Sequence, residues 1–256
     1  MKTKALFLST VIAGMIVLVS CRSHYEMTGL ERSRILIDEK YDNRDDAEAT
    51  AFMTPYKHYV DSIMSPVVGR VAHYMYAEAP ESPLSNLLPD ILMWAGKQYG
   101  EHPEFGIYNI GGMRASLAEG DVTVGDILEL APFENKICFL TLKGTDVREL
   151  FEQIARQKGQ GVSREIKLTI GKDGTLRKAL IDGKDIDLQK DYRVVTIDYI
   201  AQGNDKMEAF KKKTDLNSPT DEKNNIRYVI MDYLKERMAK GETVSQGIEG
   251  RITIVE

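Results

Sequence analysis

Three short stretches of this chain hold residue types that do chemistry in combination. The first is "NIGGMRASLAEG", Asn109 to Gly120, which follows the apolar run Phe105–Tyr108. Asn109 brings an amide that both donates and accepts, and Arg114 a rigid fork of donors. Gly111 and Gly112 let the backbone approach a ligand closely or take a positive φ. The second stretch is "APFENK", in which Phe133 follows a proline and Asn135 lies two residues on. The third is "DYIAQGNDKM", where Tyr199 leads into a loop ending at Asp205. A glycine pair is most often only a turn, and a loop aromatic most often plugs a core, so each stretch alone says little. Together they supply two flat rings, two amides, a guanidinium and a carboxylate. That set suits a nucleoside-like ligand. A base between Phe133 and Tyr199 would gain about 1–3 kcal/mol from stacking, Asp205 would accept from sugar hydroxyls, and Arg114 would meet a phosphate or ribose oxygen.

The chemistry that is missing narrows the reading. The four histidines, His24, His58, His73 and His102, stand in no HxH, DxH, HExxH or NHD spacing, and none pairs with a cysteine, which argues against a histidine-rich metal site. There is no GxSxG elbow, no P-loop and no GxGxxG. A hydrolase or kinase working alone needs a nucleophile with its base or a metal cage, and the sequence offers neither. No cofactor is expected on this chain. The net charge of −5 argues against nucleic acid, whose phosphates call for a basic face. A single arginine in a cleft can still serve a small anion.

The elements that must position these residues follow from periodicity and punctuation. "RDDAEATAFMTPYKHYVDSIM" predicts a helix from about Asp45 to Met64, with Pro55 inside it. "PVVGRVAHYMY" reads as a strand, and "SPLSNLLPDILMWAGKQYG" as a helix with the stripe Leu87, Leu88, Ile91, Leu92 and a stop at Gly100. "EFGIYNI" is a short buried strand that delivers the first motif. "VTVGDILEL" suggests a turn and a short helix; "ICFLTL" is a strand, followed by a helix capped at Thr145 or Asp146. "REIKLTIGKDGTLRKALIDGKDI" is a hairpin around "GKDG", "DYRVVTIDYIA" a further strand, "NNIRYVIMDYLKERMAKG" an amphipathic helix and "GRITIVE" a closing strand. Helices and strands interleave, partly through hairpins, so the expected class is α+β: a single domain with a mixed sheet and flanking helices over residues 45–256. At 43% hydrophobic and 29% charged residues, the chain has ordinary globular composition and ample material for one core.

The first twenty residues differ from the rest. Lys2 and Lys4 precede the apolar run Ala5–Val19, the pattern of a secretory leader and too short for a comfortable membrane span. "LVSC" resembles the lipobox of bacterial lipoproteins, which places a leader over 1–20 and acylation, with palmitate among the acyl groups, on Cys21. An ordinary leader with an incidental cysteine and an uncleaved anchor are the alternatives. Residues 21–44 then form a polar tether, and the protein is expected on a membrane of the bacterial cell envelope. Cys138, inside "ICFLTL", has no cysteine partner and reads as a small buried hydrophobe.

The long stretch "NIGGMRASLAEGDVTVGDILELAPFENKICFLTLKGTDVRELFE" resembles the C-terminal domain of the 5′-nucleotidase family, with its N-x-G-G-[IM]-R, G-x-[IV]-T, P-F-x-N and L-x-G-x-x-[LV] segments. "DYRVVTIDYIAQGNDKMEAF" is similar to the family's later segment around G-G-D-G, and "GRITIVE" to its closing strand; the match covers about Val67 to Val255. The resemblance implies a domain that binds the base and sugar of a nucleotide. Phe133 and Tyr199 would sandwich the base and Asn109 would bond it. Gly112 would give room, Arg114 would face the ribose or phosphate, Asn135 would support the site, and Asp205 would hold the ribose hydroxyls. Hydrolysis in the family belongs to a separate metallophosphatase domain with two metal ions, absent from this sequence. The chain would thus be inactive alone, with divalent metals only on a partner metallophosphatase chain. Departures from the pattern are Pro80 where an arginine is usual, Ser85 for a glycine, and Asn204 and Lys206 for the glycines flanking Asp205. Three readings stay open: the substrate-binding part of a split 5′-nucleotidase, a stand-alone nucleotide-binding lipoprotein, and a structural remnant.

Overall fold

A computed structural model of the chain describes residues 26–41 and 46–256. The expected leader over 1–20 and the acylation point Cys21 lie outside the described residues, as does part of the tether. The chain divides into two compact units, Met1–Phe52 and Met53–Glu256. In the first, the described residues include a short 3-10 turn, Glu39–Tyr41. The expected first helix is α1, Ala47–Met64, with Pro55 inside and no buried residue.

The second unit carries the site. Along it run β1 Val67–Val71, α2 Pro83–Ala95, β2 Phe105–Tyr108, β3 Gly120–Thr123, α3 Val124–Leu130, β4 Ile137–Lys143, α4 Gly144–Arg156, β5 Gly161–Val162, β6 Ile166–Gly171 and β7 Leu176–Ile181. They are followed by β8 Lys184–Asp185, β9 Asp191–Ile197, α5 Asp198–Ala201, β10 Thr214–Asn217, α6 Ile226–Ala239 and β11 Ile252–Val255. The main sheet has the order β10-β4-β9-β2-β5. Its β2–β9 pair is parallel and the others antiparallel. A second sheet, β11-β6-β7-β8, joins β11 to β6 in parallel, and β1 pairs with β3. The mixed-sheet α+β class expected from the sequence is the class observed.

The central strands are apolar on both faces because both are covered. Phe105 of β2 meets Phe151 of α4 with ring centroids 5.6 Å apart. On the next residue, a Cβ on Gly106 would come within 2.9 Å of the Pro89 carbonyl of α2. Side chains alternate across a strand, so α2 and α4 lie on opposite faces of the sheet. Helix α4 does this with Val147, Leu150, Phe151 and Ile154, spaced for one helical stripe.

Local readings diverge in four places. "VTVGDILEL" begins with strand β3, whose last residue Thr123 caps α3: its Oγ1 accepts from the Asp126 amide at 3.2 Å while Asp126 accepts from the Thr123 amide at 2.7 Å. Helix α4 starts one residue before the expected caps, at Gly144 with Lys143 as N-cap, and Asp146 pairs with Lys212 at 3.2 Å. The strand expected over "DYRVVTIDYIA" ends at Ile197, and Tyr199 sits on the helical turn α5. The strand expected over "PVVGRVAHYMY" is Val67–Val71 only.

The closing strand is held by a buried cation. The Arg251 side chain has no exposure. Its guanidinium donates to both carboxylate oxygens of Asp90 at 2.9 and 2.7 Å, to Glu249 at 2.8 Å, and to the Val162 carbonyl at 2.8 Å. One side chain thus ties β11 to α2 and β5, and every donor has a partner. Arg251→Met should remove the two short bonds to Asp90, leaving that half-buried carboxylate only Arg164 as a cation, at 3.4 Å, and cost about 1.5–3 kcal/mol, read as a lower midpoint in denaturant unfolding.

A second pair is pH-sensitive. Arg193 of β9 grips Glu101 at 2.6 and 2.7 Å, and hydrogen bonding from Arg193 holds that carboxyl below the usual glutamate range. A lowered folded value means the stabilisation is complete above the unfolded value and is lost as pH falls through the folded one. Unfolding free energy should therefore decline as pH falls through the ordinary glutamate value of 4.5 and below it, and decline less steeply in Glu101→Gln.

Candidate functional site

Sheet topology brings the three stretches to one edge. β2 and β9 run parallel, with Phe105 opposite Val194 and Gly106 opposite Val195, so Asn109 and Tyr199 emerge at the same end. β4 runs antiparallel to β9, with Ile137 opposite Ile197, so the chain entering β4, with Phe133 and Asn135, arrives at that end too. Strand direction is therefore enough to make the three loops converge.

Each loop is fixed from behind. The Asn109 loop turns through the 3-10 segment Ile110–Gly112. The Ile110 amide donates to Gln160 Oε1 at 2.8 Å and the Arg114 amide to the Leu130 carbonyl at 2.9 Å. The Phe133 loop is pinned by α6: the Ile226 amide bonds the Asn135 carbonyl at 2.9 Å and Arg227 bonds the Pro132 carbonyl at 3.0 Å. In the third loop, Asn204 Nδ2 donates to the Tyr199 carbonyl at 2.7 Å. Asp205 and Lys206 both take left-handed backbone, φ 51° and 57°.

Between the loops lies a cleft of about 200 Å³ lined by Asn109, Gly111, Gly112, Phe133, Asn135, Tyr199 and Asp205. Its volume is below the roughly 300–1,000 Å³ of pockets that enclose a drug-sized ligand; it is suited to a flat ring with the rest of the ligand outside. Phe133 and Tyr199 are 48% and 39% exposed, so neither ring is a core plug. Among the described residues the two rings make no aromatic contact with each other.

The polar groups are ordered by one carboxylate. Asp205 Oδ2 accepts from Asn109 Nδ2 at 2.6 Å, and Oδ1 from the Tyr199 hydroxyl at 3.1 Å. An ionised carboxylate only accepts, which sets the orientation of the Asn109 amide. That amide is 3% exposed, and among the described residues its Oδ1 has no donor. The bond to Asp205 raises the Tyr199 phenol above its ordinary value.

Six of the seven ligand-binding residues expected from the sequence border this cleft, together with Gly111. The seventh, Arg114, does not line it; it is exposed at the rim, with Nη1 3.4 Å from the Gly111 carbonyl. Sequence reasoning missed Gln160, a buried amide that holds the Asn109 loop, because nothing local marks a glutamine as a contact across 50 residues. Among the described residues no group of three or more His, Cys, Asp and Glu side chains is placed to hold a metal ion. A larger groove of about 260 Å³ between α4 and the β7–β8 hairpin is lined by Arg148, Arg177 and Lys178. Two of these cations are already paired, Arg148 with Glu152 at 3.4 Å and Arg177 with Asp173 at 3.3 Å.

A family model described as 5′-nucleotidase, C-terminal domain, matches residues 67–212, which is more than half of the chain and includes all three loops. The chain belongs to that family.

Relatives and solved structures agree. A 5′-nucleotidase-related protein of Glossina morsitans morsitans is 26% identical over 255 residues, covering 88% of this chain and 44% of its own length. The trifunctional nucleotide phosphoesterase protein YfkN of Bacillus subtilis is 24% identical over 236 residues, 84% of this chain and 16% of its own. The crystal structure of a 5′-nucleotidase precursor from Thermus thermophilus superposes with TM-score 0.70 at 26% identity, over 83% of this chain and 44% of that one. The chain spans less than half the length of these relatives.

The departures from the 5′-nucleotidase pattern have structural counterparts. Ser85, in place of a glycine, bonds the Ser82 amide at 2.8 Å and closes the cap of α2. Lys206 occupies left-handed backbone that a glycine would take without strain. Close approach explains the second glycine of the pair: a Cβ on Gly112 would fall 2.7 Å from Asn109 Oδ1 and 3.2 Å from the Tyr108 ring, whereas one on Gly111 would meet only Asp205 Oδ2 at an ordinary 3.7 Å. Gly112→Ala should displace Asn109, cost about 1–3 kcal/mol through overpacking, and break the Asn109–Asp205 bond; loss of that pair's through-space contact in NMR would verify the second effect.

Proposed function

We propose that this chain is the nucleotide- or nucleoside-binding part of a divided 5′-nucleotidase, carried on a lipid anchor at Cys21 and completed by a separate metallophosphatase chain. The observation that carries the reading is the cleft itself: two exposed rings from distant loops border one gap beside a buried, unpaired amide acceptor and a carboxylate. Asn109 Oδ1 is one of seven buried side-chain atoms without a partner among the described residues, and of these only Asn109 belongs to a residue lining the cleft; a donor on a heterocycle edge would supply its partner. In this reading Phe133 and Tyr199 stack the base, Asn109 bonds its edge, Asp205 accepts from the ribose, and Arg114 stands at the rim where a phosphate would leave the cleft. Asn135 braces the loop through its carbonyl. The 5′-nucleotidase names of the relatives support the choice of ligand class. The partner's metal ions would supply the activated water; this chain's contribution is to bind and orient the ester, which lowers the barrier by positioning.

One observation favours a stand-alone binder of nucleosides. The segment where the family usually carries an arginine has Pro80 instead, and Ser85 is consumed in a helix cap, so the phosphate side has one cation fewer.

Calorimetric titration with adenosine and AMP tests binding: either should release heat, and silence from both would remove the proposal. Phe133→Ala should weaken binding by about 1–3 kcal/mol with little change in melting temperature, because the ring is 48% exposed. AMP hydrolysis by a candidate metallophosphatase should rise when this chain is added. If the rate is the same with and without it, the divided-enzyme reading fails and the binder remains.

A further inference from the structure

What the cleft does with the sugar rests on the nucleoside reading above. A site rejects a ligand lacking one hydroxyl strongly only when the missing group leaves a desolvated protein atom without a partner. Asp205 does not meet that condition. Before any ligand arrives, Oδ2 already accepts from Asn109 at 2.6 Å and Oδ1 from Tyr199 at 3.1 Å. A carboxylate offers about four lone-pair sites, so two remain for a sugar diol, yet neither oxygen is orphaned when one hydroxyl is missing. Stacking requires only the ring of Tyr199; its hydroxyl is free for a separate task. The loop makes the tie rigid, since Asn204 Nδ2 also bonds the Tyr199 carbonyl and fastens the ring's backbone to the residue before Asp205.

We propose that the Tyr199 hydroxyl sets the sugar tolerance of the cleft: by holding Oδ1 of Asp205, it lets the site accept 2′-deoxyribonucleosides nearly as well as ribonucleosides. Tyr199 is a specificity residue through Asp205 as well as a stacking platform. The raised phenol value is in keeping with a donor bonded to an anion.

The test measures dissociation constants for the four common ribonucleosides and their 2′-deoxy counterparts with wild type and Tyr199→Phe. The readout is the deoxy-to-ribo ratio, because changes in stacking move both members of a pair alike. The ratio should lie within about fivefold for wild type and rise by about tenfold in Tyr199→Phe, the size of one hydrogen bond to a charged group. A wild-type ratio above about a hundredfold, or one unmoved by Tyr199→Phe, overturns the inference while leaving the nucleoside reading intact. If wild type binds no nucleoside, the reading itself falls, and the inference with it. Ultraviolet difference titration of wild type against Tyr199→Phe supplies a readout independent of ligand: Tyr199 should ionise above an ordinary tyrosine and return to the ordinary value in Asp205→Asn. Ionisation at the ordinary value in wild type overturns the inference directly.

Discussion

The parallel pairing of β2 with β9, inside a sheet whose other pairs are antiparallel, is the constraint from which the cleft follows. Parallel strands need a long crossover between them, and here that crossover contains β3, α3, β4, α4 and the second sheet's hairpin. Because β4 returns antiparallel beside β9, the start of one strand and the ends of two others share an edge. Residues 109, 133 and 199 then meet although about ninety positions separate the first from the last. Reversing any one strand would send its loop to the opposite edge and leave the other two facing solvent.

The same sheet must be covered on both faces, and the helices doing so are locked by polar groups as well as by apolar packing. Arg251 is the clearest instance: a charge with no exposure, surrounded by two carboxylates and two carbonyls. Such a group contributes little net stability relative to a well-packed apolar residue, but it admits only one arrangement of its neighbours. It therefore fixes where β11, α2 and β5 sit, and with them the frame beneath Asn109. Gln160, whose Oε1 receives the Ile110 amide, passes that frame on to the loop itself.

At the cleft the balance differs. The rings are half open, the loop around Asp205 holds two consecutive residues in left-handed backbone, and one buried acceptor is unsatisfied. Strain and unmet hydrogen-bonding capacity collect at sites whose partner is not part of the protein. Elsewhere in the second unit Phe105 and Phe151 pack at the centre and the donors of Arg251 are satisfied, while Asn86, Glu165, Asn224, Asn225, Arg227 and Arg237 each keep a buried atom without a partner among the described residues. What sets the cleft apart is a combination in one place: two exposed rings, two consecutive left-handed residues and an unpaired amide acceptor.

Much of this was legible in the residues. The α+β class, the "GKDG" hairpin, the helix over Ile226–Ala239 and the grouping of Asn109, Phe133, Asn135, Tyr199 and Asp205 all follow from periodicity, turn chemistry and residue type, which are local properties. The errors were also local: the cap of α4 and the end of β9 depend on what the neighbouring strands require, and propensity does not contain that. What the sequence by itself determined is an inventory, two rings, two amides, an arginine and a carboxylate on loops after apolar runs. Only the tertiary structure decided that the carboxylate binds the amide and the phenol together, that the arginine stands outside the cleft, and that a glutamine fifty residues away holds the turn. Those outcomes depend on strand direction and on distances between segments far apart in the chain, and no local pattern encodes a distance.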